Sequence, residues 1–375
     1  MSTTGRPDGP APGSSELAAS LRGAEFVRLV GAGDGDALAA LGALAGGLDE
    51  ADTPFQATVS PLPAPADRAT DADHTVALGR PLGDADLTLG IDGAASREAY
   101  EVAAALGSPD PALALAGIVA AGELPDGRPL EDAEAAGLDR RPGLAAPTAD
   151  PVDAVVHSPL VHAPVSGDSE RAADLLADVA TGDMNEDAGR RVASLVALAV
   201  GGDGSGTARG AEAVERFLCP RAGGPFETVG GYADVLDALA RTRPGLGVAL
   251  VLGTGDREAA LEAWRDHGKR AHAAVRGATT GRYDGLFVAR CDGDAPVGTV
   301  ARLVRDFRSP EPVVLVVADG EAAAVRTDEA DTDLGATMRE AAATVGGTGG
   351  GSETRARARF DADDTEFVVA FRGAQ

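Results

Sequence analysis

Residues 27–48, VRLVGAGDGDALAALGALAGGL, constrain the fold more than any other stretch of the chain. A short apolar run passes into a glycine-rich turn carrying two acids and then into a long Ala/Leu segment. That order is the strand–turn–helix unit of a parallel sheet covered by helices. The alternation continues, with strand candidates at 27–30, 57–61, 75–78 and 87–91 and helix candidates over 37–48 and 96–106.

Residues 123–153, rich in Pro, Gly and Asp, then break the pattern. Segments 170–179, 185–200 and 210–218 carry apolar residues at three- and four-residue spacing and read as helices. A second α/β unit follows, with a strand at 248–252, a helix at 257–275, strands at 286–289, 313–317 and 322–326, a helix at 334–345, and strands at Phe360 and 366–371. The expected organisation is therefore a disordered tail over 1–16, a parallel-sheet α/β domain over 17–153, a helical connecting segment over 154–230 and a smaller C-terminal α/β domain over 231–375. The tail is polar and Pro/Gly-rich without an apolar core, so it does not read as a signal peptide. No stretch approaches 18 consecutive apolar residues free of turn formers, so no membrane span is expected.

At 375 residues and 44% hydrophobic content the chain has material for two or three cores. It carries 59 acidic residues against 33 basic, a formal net charge of −26, and its only lysine is Lys269. This bias reads as adaptation to salt, because at molar salt the Debye length falls to about 3 Å. Net acidity therefore does not exclude a nucleic-acid partner. Cys219 and Cys291 lie far apart and outside any C-x-x-C spacing, which argues against a disulfide framework or zinc site and fits a reduced cytoplasm.

The turn GAGDGD admits two chemistries. A dinucleotide fingerprint requires a third glycine where Asp36 stands, and an acid there repels a pyrophosphate. Asp34 and Asp36 just past the carboxyl end of a strand instead suit a divalent cation and a phosphoryl group, although either also serves simply to cap the helix. A second motif bears on the choice. VGGTGGGSETRARARF, residues 345–360, puts five glycines into six positions before a strand, a backbone surface suited to close approach by another backbone such as a phosphodiester chain.

Together these motifs resemble the archaeal RecJ-like branch of the DHH phosphoesterase superfamily over about residues 24–121 and 286–371. The resemblance implies a parallel-sheet DHH-like N-terminal domain and a C-terminal DHH-associated domain. It places metal-ligand aspartates at Asp34, Asp36 and Asp92, and nucleic-acid contacts at Gly346, Gly347, Gly349, Gly350, Gly351, Ser352 and Arg355. Several ligand positions of the family are replaced: Ala32 stands for a histidine, Gly79 for an aspartate, Gly93 and Ala94 for the two histidines of the signature, Ala121 or Gly122 for an aspartate and Ser352 for a histidine. Three acids without histidine do not hold the cation pair of a two-metal hydrolase. The resemblance thus implies a catalytically degenerate protein of DNA replication or repair, a scaffold associated with single-stranded nucleic acid or with the helicase through GINS, binding manganese or magnesium weakly or not at all. The alternatives are an active metal-dependent single-strand exonuclease and an unrelated small-molecule or dinucleotide-binding α/β protein.

Other motifs carry blander readings. His157 and His162 in VVHSPLVHAP lack an accompanying carboxylate cluster and read as turn or core histidines. His267 and His272 share a presumed helix with Arg265, Lys269, Arg270 and Arg276, which reads either as a solvated face or as a surface for an acidic partner. Residues 201–210 lack the ending of a phosphate-binding loop and read as a flexible loop. Only 3% of the residues are aromatic, so stacking platforms for bases are scarce. One outcome follows from charge alone: as potassium chloride is lowered from molar concentration, self-repulsion of the net −26 should lower the melting temperature measured by circular dichroism.

Overall fold

The computed structural model of the chain describes residues 13–60, 71–83, 85–91, 93–179, 185–202 and 208–375. Helix α1 (Ser14–Arg22) starts inside the expected tail, whose first twelve residues lie outside those described. Strand β1 (Val27–Ala32) passes into α2 (Gly35–Glu50), capped by Asp34. Next come β2 (Phe55–Ser60), β3 (His74–Leu78), β4 (Leu87–Leu89), α3 (Ala95–Leu106), α4 (Pro111–Ala121) and α5 (Gly127–Ala135). The four strands form one sheet in the order β2-β1-β3-β4, and every pairing is parallel. Its apolar strand residues are covered by α2, which is buried from Gly35 to Leu48 apart from Gly46. Helix α5 falls in the stretch that the sequence reading took as a break.

The middle of the chain is helical, as expected: α6 (Pro151–His157), α7 (Ser169–Leu176), α8 (Glu186–Gly201) and α9 (Ala208–Phe217), framed by the short pair β5 (Asp139–Arg140) and β6 (Arg221–Ala222). Part of the 201–210 loop lies outside the described residues. Then follow α10 (Val229–Thr242), α11 (Pro244–Val251) and α12 (Arg257–Gly277). Helix α10 is buried from Val229 to Ala240 and shares a core with Leu38, Leu113 and Trp264, so it packs with the N-terminal unit. The strand expected at 248–252 is instead the end of α11. Its apolar run has no period to read, and Pro244 at the first helical turn marks the true start.

The C-terminal unit consists of β7 (Thr279–Tyr283), β8 (Leu286–Arg290), α13 (Val297–Phe307), β9 (Val313–Ala318), β10 (Glu321–Arg326), α14 (Leu334–Thr344), β11 (Thr348–Gly351), β12 (Arg355–Arg359) and α15 (Asp364–Ala374). One six-stranded sheet runs β11-β12-β10-β9-β8-β7, parallel only between β8 and β9. The strand expected at 366–371 is helix α15: Asp363 accepts from Thr365 N–H, and Phe367, Val368 and Phe371 bury one face at helical spacing. Phe360 lies just past β12. The second half of the glycine run, Thr348–Gly351, is the edge strand of this sheet. The overall architecture is the mixed α/β arrangement expected, with a parallel sheet first, helices between, and a second sheet last.

Between the two sheets, α6 and its following loop meet α12 in a buried polar seam. His157, His162, His267 and His272 are all buried there. His162 Nδ1 and His272 Nδ1 lie 3.1 Å apart, so one donates and the other accepts, which requires the accepting ring to carry no proton on its Nδ1. Burial, reinforced by His162, holds His272 well below its ordinary pKa, and burial pushes His267 from 6.5 down to about 3. A histidine depressed in the fold binds its proton in the unfolded chain first, so its contribution to stability is intact above 6.5 and is lost as pH falls below it. Asp36 and Asp234, pushed up to about 7 by burial, act in the opposite sense. The clean readout is therefore a difference: in chemical denaturation, the stability of wild type relative to His267→Gln should fall by about 1.4 kcal/mol for each pH unit below 6.5.

Candidate functional site

A cleft of about 630 Å³ opens where the carboxyl ends of β1 and β3 face the second sheet across α10 and α13. In open parallel sheets this end of the strands is where ligands bind. Asp34 and Asp36 from the β1–α2 turn line the cleft, as do Gly350, Gly351, Ser352 and Arg355 from the β11–β12 hairpin. The structure thus brings together six of the site residues named from sequence. Asp92 lies outside the described residues.

Gly346, Gly347 and Gly349 do not line the cleft. Gly346 turns the chain at φ +75°, and a Cβ on Gly349 would sit 2.8 Å from Met338 O on α14. Gly349 thus lets α14 lie directly on the edge strand, and Gly347 lets the chain approach Phe360 and the Arg359 carbonyl. Gly350 differs, because a Cβ there would meet only the Arg339 side chain, at 3.6 Å.

Asp36 is buried, and its two oxygens face the start of α3, accepting from Ala95 N–H at 2.7 Å and Ser96 N–H at 2.9 Å. Helix α3 has no cap of its own, because its N-cap position is Ala94, and Asp36 supplies one from the neighbouring helix. Burial, with Asp34 adding repulsion, raises the Asp36 carboxyl to about 7.

Asp34 is half-buried, and one of its oxygens accepts from Ala37 N–H at 2.9 Å. Burial lowers the pKa of Arg80 and of Arg355 and the charge of Asp34 opposes that shift in both, while Arg241 is raised against its burial by Asp237 and then by Asp34, so the surroundings of Asp34 are guanidinium groups. Arg241 is held by the buried Asp237 through two hydrogen bonds of 2.7 and 3.0 Å. Burial alone would raise the Asp237 carboxyl, but Arg241 outweighs it and holds the group far below the carboxylate range. Asp237 also accepts from Gly35 N–H at 3.2 Å. A Cβ on Gly35 would lie 2.8 Å from Asp237 N, so only glycine permits this approach of α2 to α10.

This donor set does not fit a pair of divalent cations. Ala32, Gly79, Gly93 and Ala121 line the cleft where the resemblance places ligands. Gly79 has φ +73°, a conformation that would strain an aspartate. The Arg355 guanidinium donates to Ala121 O, putting a cation at the carboxyl end of α4. Among the described residues no three His, Cys, Asp or Glu side chains are grouped to hold a metal ion.

The sequence reading missed Arg80, Arg241, Arg357 and Asp237. Two of these arginines had a visible signal. Arg80 directly follows the third strand, and Arg357 alternates, like Arg355, with buried Ala356 and Ala358, so both arginines share one face of β12. Arg241 and Asp237 gave none, because their role depends on α10 packing beside α2. The basic face read on α12 is largely spent internally: Arg265 pairs with Asp153 at 2.8 Å, Arg270 with Asp294 at 2.6 Å, and Arg276 donates to Ser166 O. His267 and His272 point into the seam rather than outward.

If Asp36 serves as a helix cap, Asp36→Ala should cost about 2 kcal/mol in chemical denaturation, by the same amount with EDTA or with manganese present. A loss seen only when manganese is available to wild type would instead assign the carboxylate to a metal.

Comparison with known proteins places this geometry. A protein of Haloarcula marismortui described as uncharacterized protein rrnAC1427 is 56% identical over 380 residues, with both chains covered in full. Residues 278–373 match the family described as uncharacterized protein rrnAC1427, C-terminal domain. Among solved structures, CDC45 from Entamoeba histolytica superposes with a TM-score of 0.61 at 10% identity, over 96% of this chain and 98% of that one. RecJ in complex with Mg2+ from Thermus thermophilus gives a TM-score of 0.44 at 15% identity, and this chain spans 50% of its length. The fold is shared with CDC45, and by sequence the chain belongs to the rrnAC1427 family.

Proposed function

We propose that the chain is a RecJ-like protein of DNA replication or repair that has lost nuclease chemistry and acts as a scaffold. In this reading it associates weakly with single-stranded nucleic acid and with replication proteins such as GINS. The observation that carries the proposal is the use made of Asp36: both its oxygens serve the first turn of α3, and the positions around it hold alanine, glycine and arginine in place of ligands. Hydrolysis by paired cations needs carboxylates and imidazoles free to bridge them and to activate a water. Of the two turn aspartates, Asp34 keeps its carboxylate facing the cleft, and guanidinium groups surround it. The fold shared with CDC45 over nearly the whole chain supports the architecture on which this reading rests. The −26 charge, Lys269 as sole lysine and a Haloarcula relative support a halophilic setting. No helix among the described residues is long and apolar enough to cross a membrane.

The reading predicts that labelled single-stranded DNA or RNA, incubated with manganese in molar potassium chloride, is cut no faster by wild type than by the Asp34→Ala/Asp36→Ala double variant. Gel-shift titration of the same oligonucleotides should show weak binding that Gly350→Asp diminishes, because a charge and a side chain are added where only Arg339 now approaches. Robust cleavage by wild type that vanishes in Asp34→Ala would establish the exonuclease reading instead.

A further inference from the structure

We propose that the outer edge of the N-terminal sheet, strand β2 together with helix α11, is an interface at which two copies of this chain pair about a twofold axis. Two features that folds ordinarily avoid occur there side by side. Helix α11 and the residue that ends it, PGLGVALVL, contain no polar side chain, yet only Gly247 is buried. A helix apolar all round belongs inside a protein. Strand β2 is the edge of a parallel sheet, whose strands are ordinarily covered on both faces, and none of its six residues is buried.

The two form one surface. Phe55, Ala57 and Val59 of β2 share an apolar cluster with Val248 and Val251 of α11. Glycines fix the face that α11 turns inward: a Cβ on Gly42 of α2 would lie 2.7 Å from Val251 Cβ, and a Cβ on Gly247 would lie 2.8 Å from Leu38 Cδ2. Helical spacing then puts Gly245, Ala249 and Leu252 on the opposite side. A Cβ on Gly245 would meet none of the described residues within 4 Å, and Leu252 is 38% exposed. The backbone edge is equally open. Val27 N–H donates to Pro54 O and Val27 stands opposite Phe55, so in the parallel ladder Gln56 and Thr58 bond to β1. Phe55, Ala57 and Val59 turn their N–H and C=O groups away, toward a side on which β2 pairs with none of the described strands. Natural edges are ordinarily blocked by charge, proline or a bulge. Residues 55–60 contain none of these.

Charge identifies the occupant. A quarter of the residues are charged, 25%, and the net charge is −26, yet residues 53–60 and 244–255 carry no charge at all. A strongly charged partner finds nothing to pair with here, whereas a second acidic copy meets no repulsion from the patch itself. An antiparallel meeting of β2 with itself about Ala57 sets Phe55 against the partner's Val59, and the unbonded N–H and C=O groups of all three residues find acceptors and donors. The two N-terminal sheets then continue into one, with their clefts opening at opposite ends. At molar salt, where the Debye length is about 3 Å, the net charge elsewhere on the two copies opposes this little.

The test is sedimentation equilibrium of the full chain in molar potassium chloride. A mass of two chains is expected, with a dissociation constant raised at least about tenfold in Ala57→Pro and in Gly245→Glu. Proline at 57 removes an N–H that the sheet of one copy does not use, and its ring blocks the edge. Glutamate at 245 adds a charge to the outer face of α11 in its first turn, where an acid is favourable to the helix. Circular dichroism melts matching wild type verify the fold of each variant, and if Ala57→Pro fails to fold, Gly245→Glu decides alone. Amide exchange over residues 54–60 is expected to slow in the dimer relative to the dilute monomer, and raising potassium chloride is expected to tighten the pairing. A monomer at every concentration up to about 100 μM, a dimer weakened by added salt, or a dimer undiminished in the folded variants would overturn the interface. Neither cleavage nor oligonucleotide binding enters these measurements, so their outcome is separate from that of the scaffold reading.

Discussion

Two buried aspartates, each facing the first turn of a helix other than its own, set the geometry of the N-terminal unit. Asp237 on α10 receives the N–H of Gly35 at the start of α2, and Asp36 on α2 receives the N–H groups of Ala95 and Ser96 at the start of α3. Helix starts present backbone donors with no partner inside the helix, and burying them without an acceptor is costly. The carboxylates meet that need across helix boundaries and fix α10, α2 and α3 in one register. Glycine at position 35 and alanine at position 94 are part of the same arrangement, the first for close approach and the second because the cap comes from elsewhere.

This use of the acids shapes the cleft chemistry. An aspartate whose oxygens are directed at backbone N–H groups has little left to offer a cation, and burial drives Asp36 toward the neutral form near pH 7. Asp34, left facing the cleft, is balanced by Arg80, Arg241 and Arg355 instead. Arginine suits this place, since its guanidinium keeps its charge when partly buried and reaches several acceptors in one plane. A cleft at the carboxyl end of a parallel sheet, which elsewhere collects metal-binding carboxylates, here collects Arg80 after β3, Arg241 from α10, Arg339 from α14 and Arg355 and Arg357 from β12.

The glycine-rich run shows how one composition serves two purposes. Glycines 347, 349 and 351 let β11 lie against α14 and β12 at distances that no side chain tolerates, while Gly350 alone leaves open space beside the cleft. The motif was legible as a close-approach surface. Its principal neighbour is the protein's own helix, a fact set by the placement of α14 along the sheet edge.

Local pattern determined much of the architecture. The parallel N-terminal sheet, helix α12, strands β8, β9 and β10 and helix α14 follow from periodicity, turn residues and caps within a few positions of one another, because those signals are carried by neighbours in the chain. Where local signals were mute, the reading failed: the apolar run of α11 has no period, and the aromatic cluster of α15 resembles a strand until the Asp363 cap is counted. The sequence by itself also determined the charge balance and placed Asp34 and Asp36 at the end of a strand. What Asp36 binds, and which arginines surround Asp34, were decided only when α3, α10, α13 and β12 converged on that turn from up to 321 residues away in the chain, the interval between Asp34 and Arg355. Hydrogen bonds and Coulomb forces act over a few ångströms of space, so no spacing in the sequence encodes them.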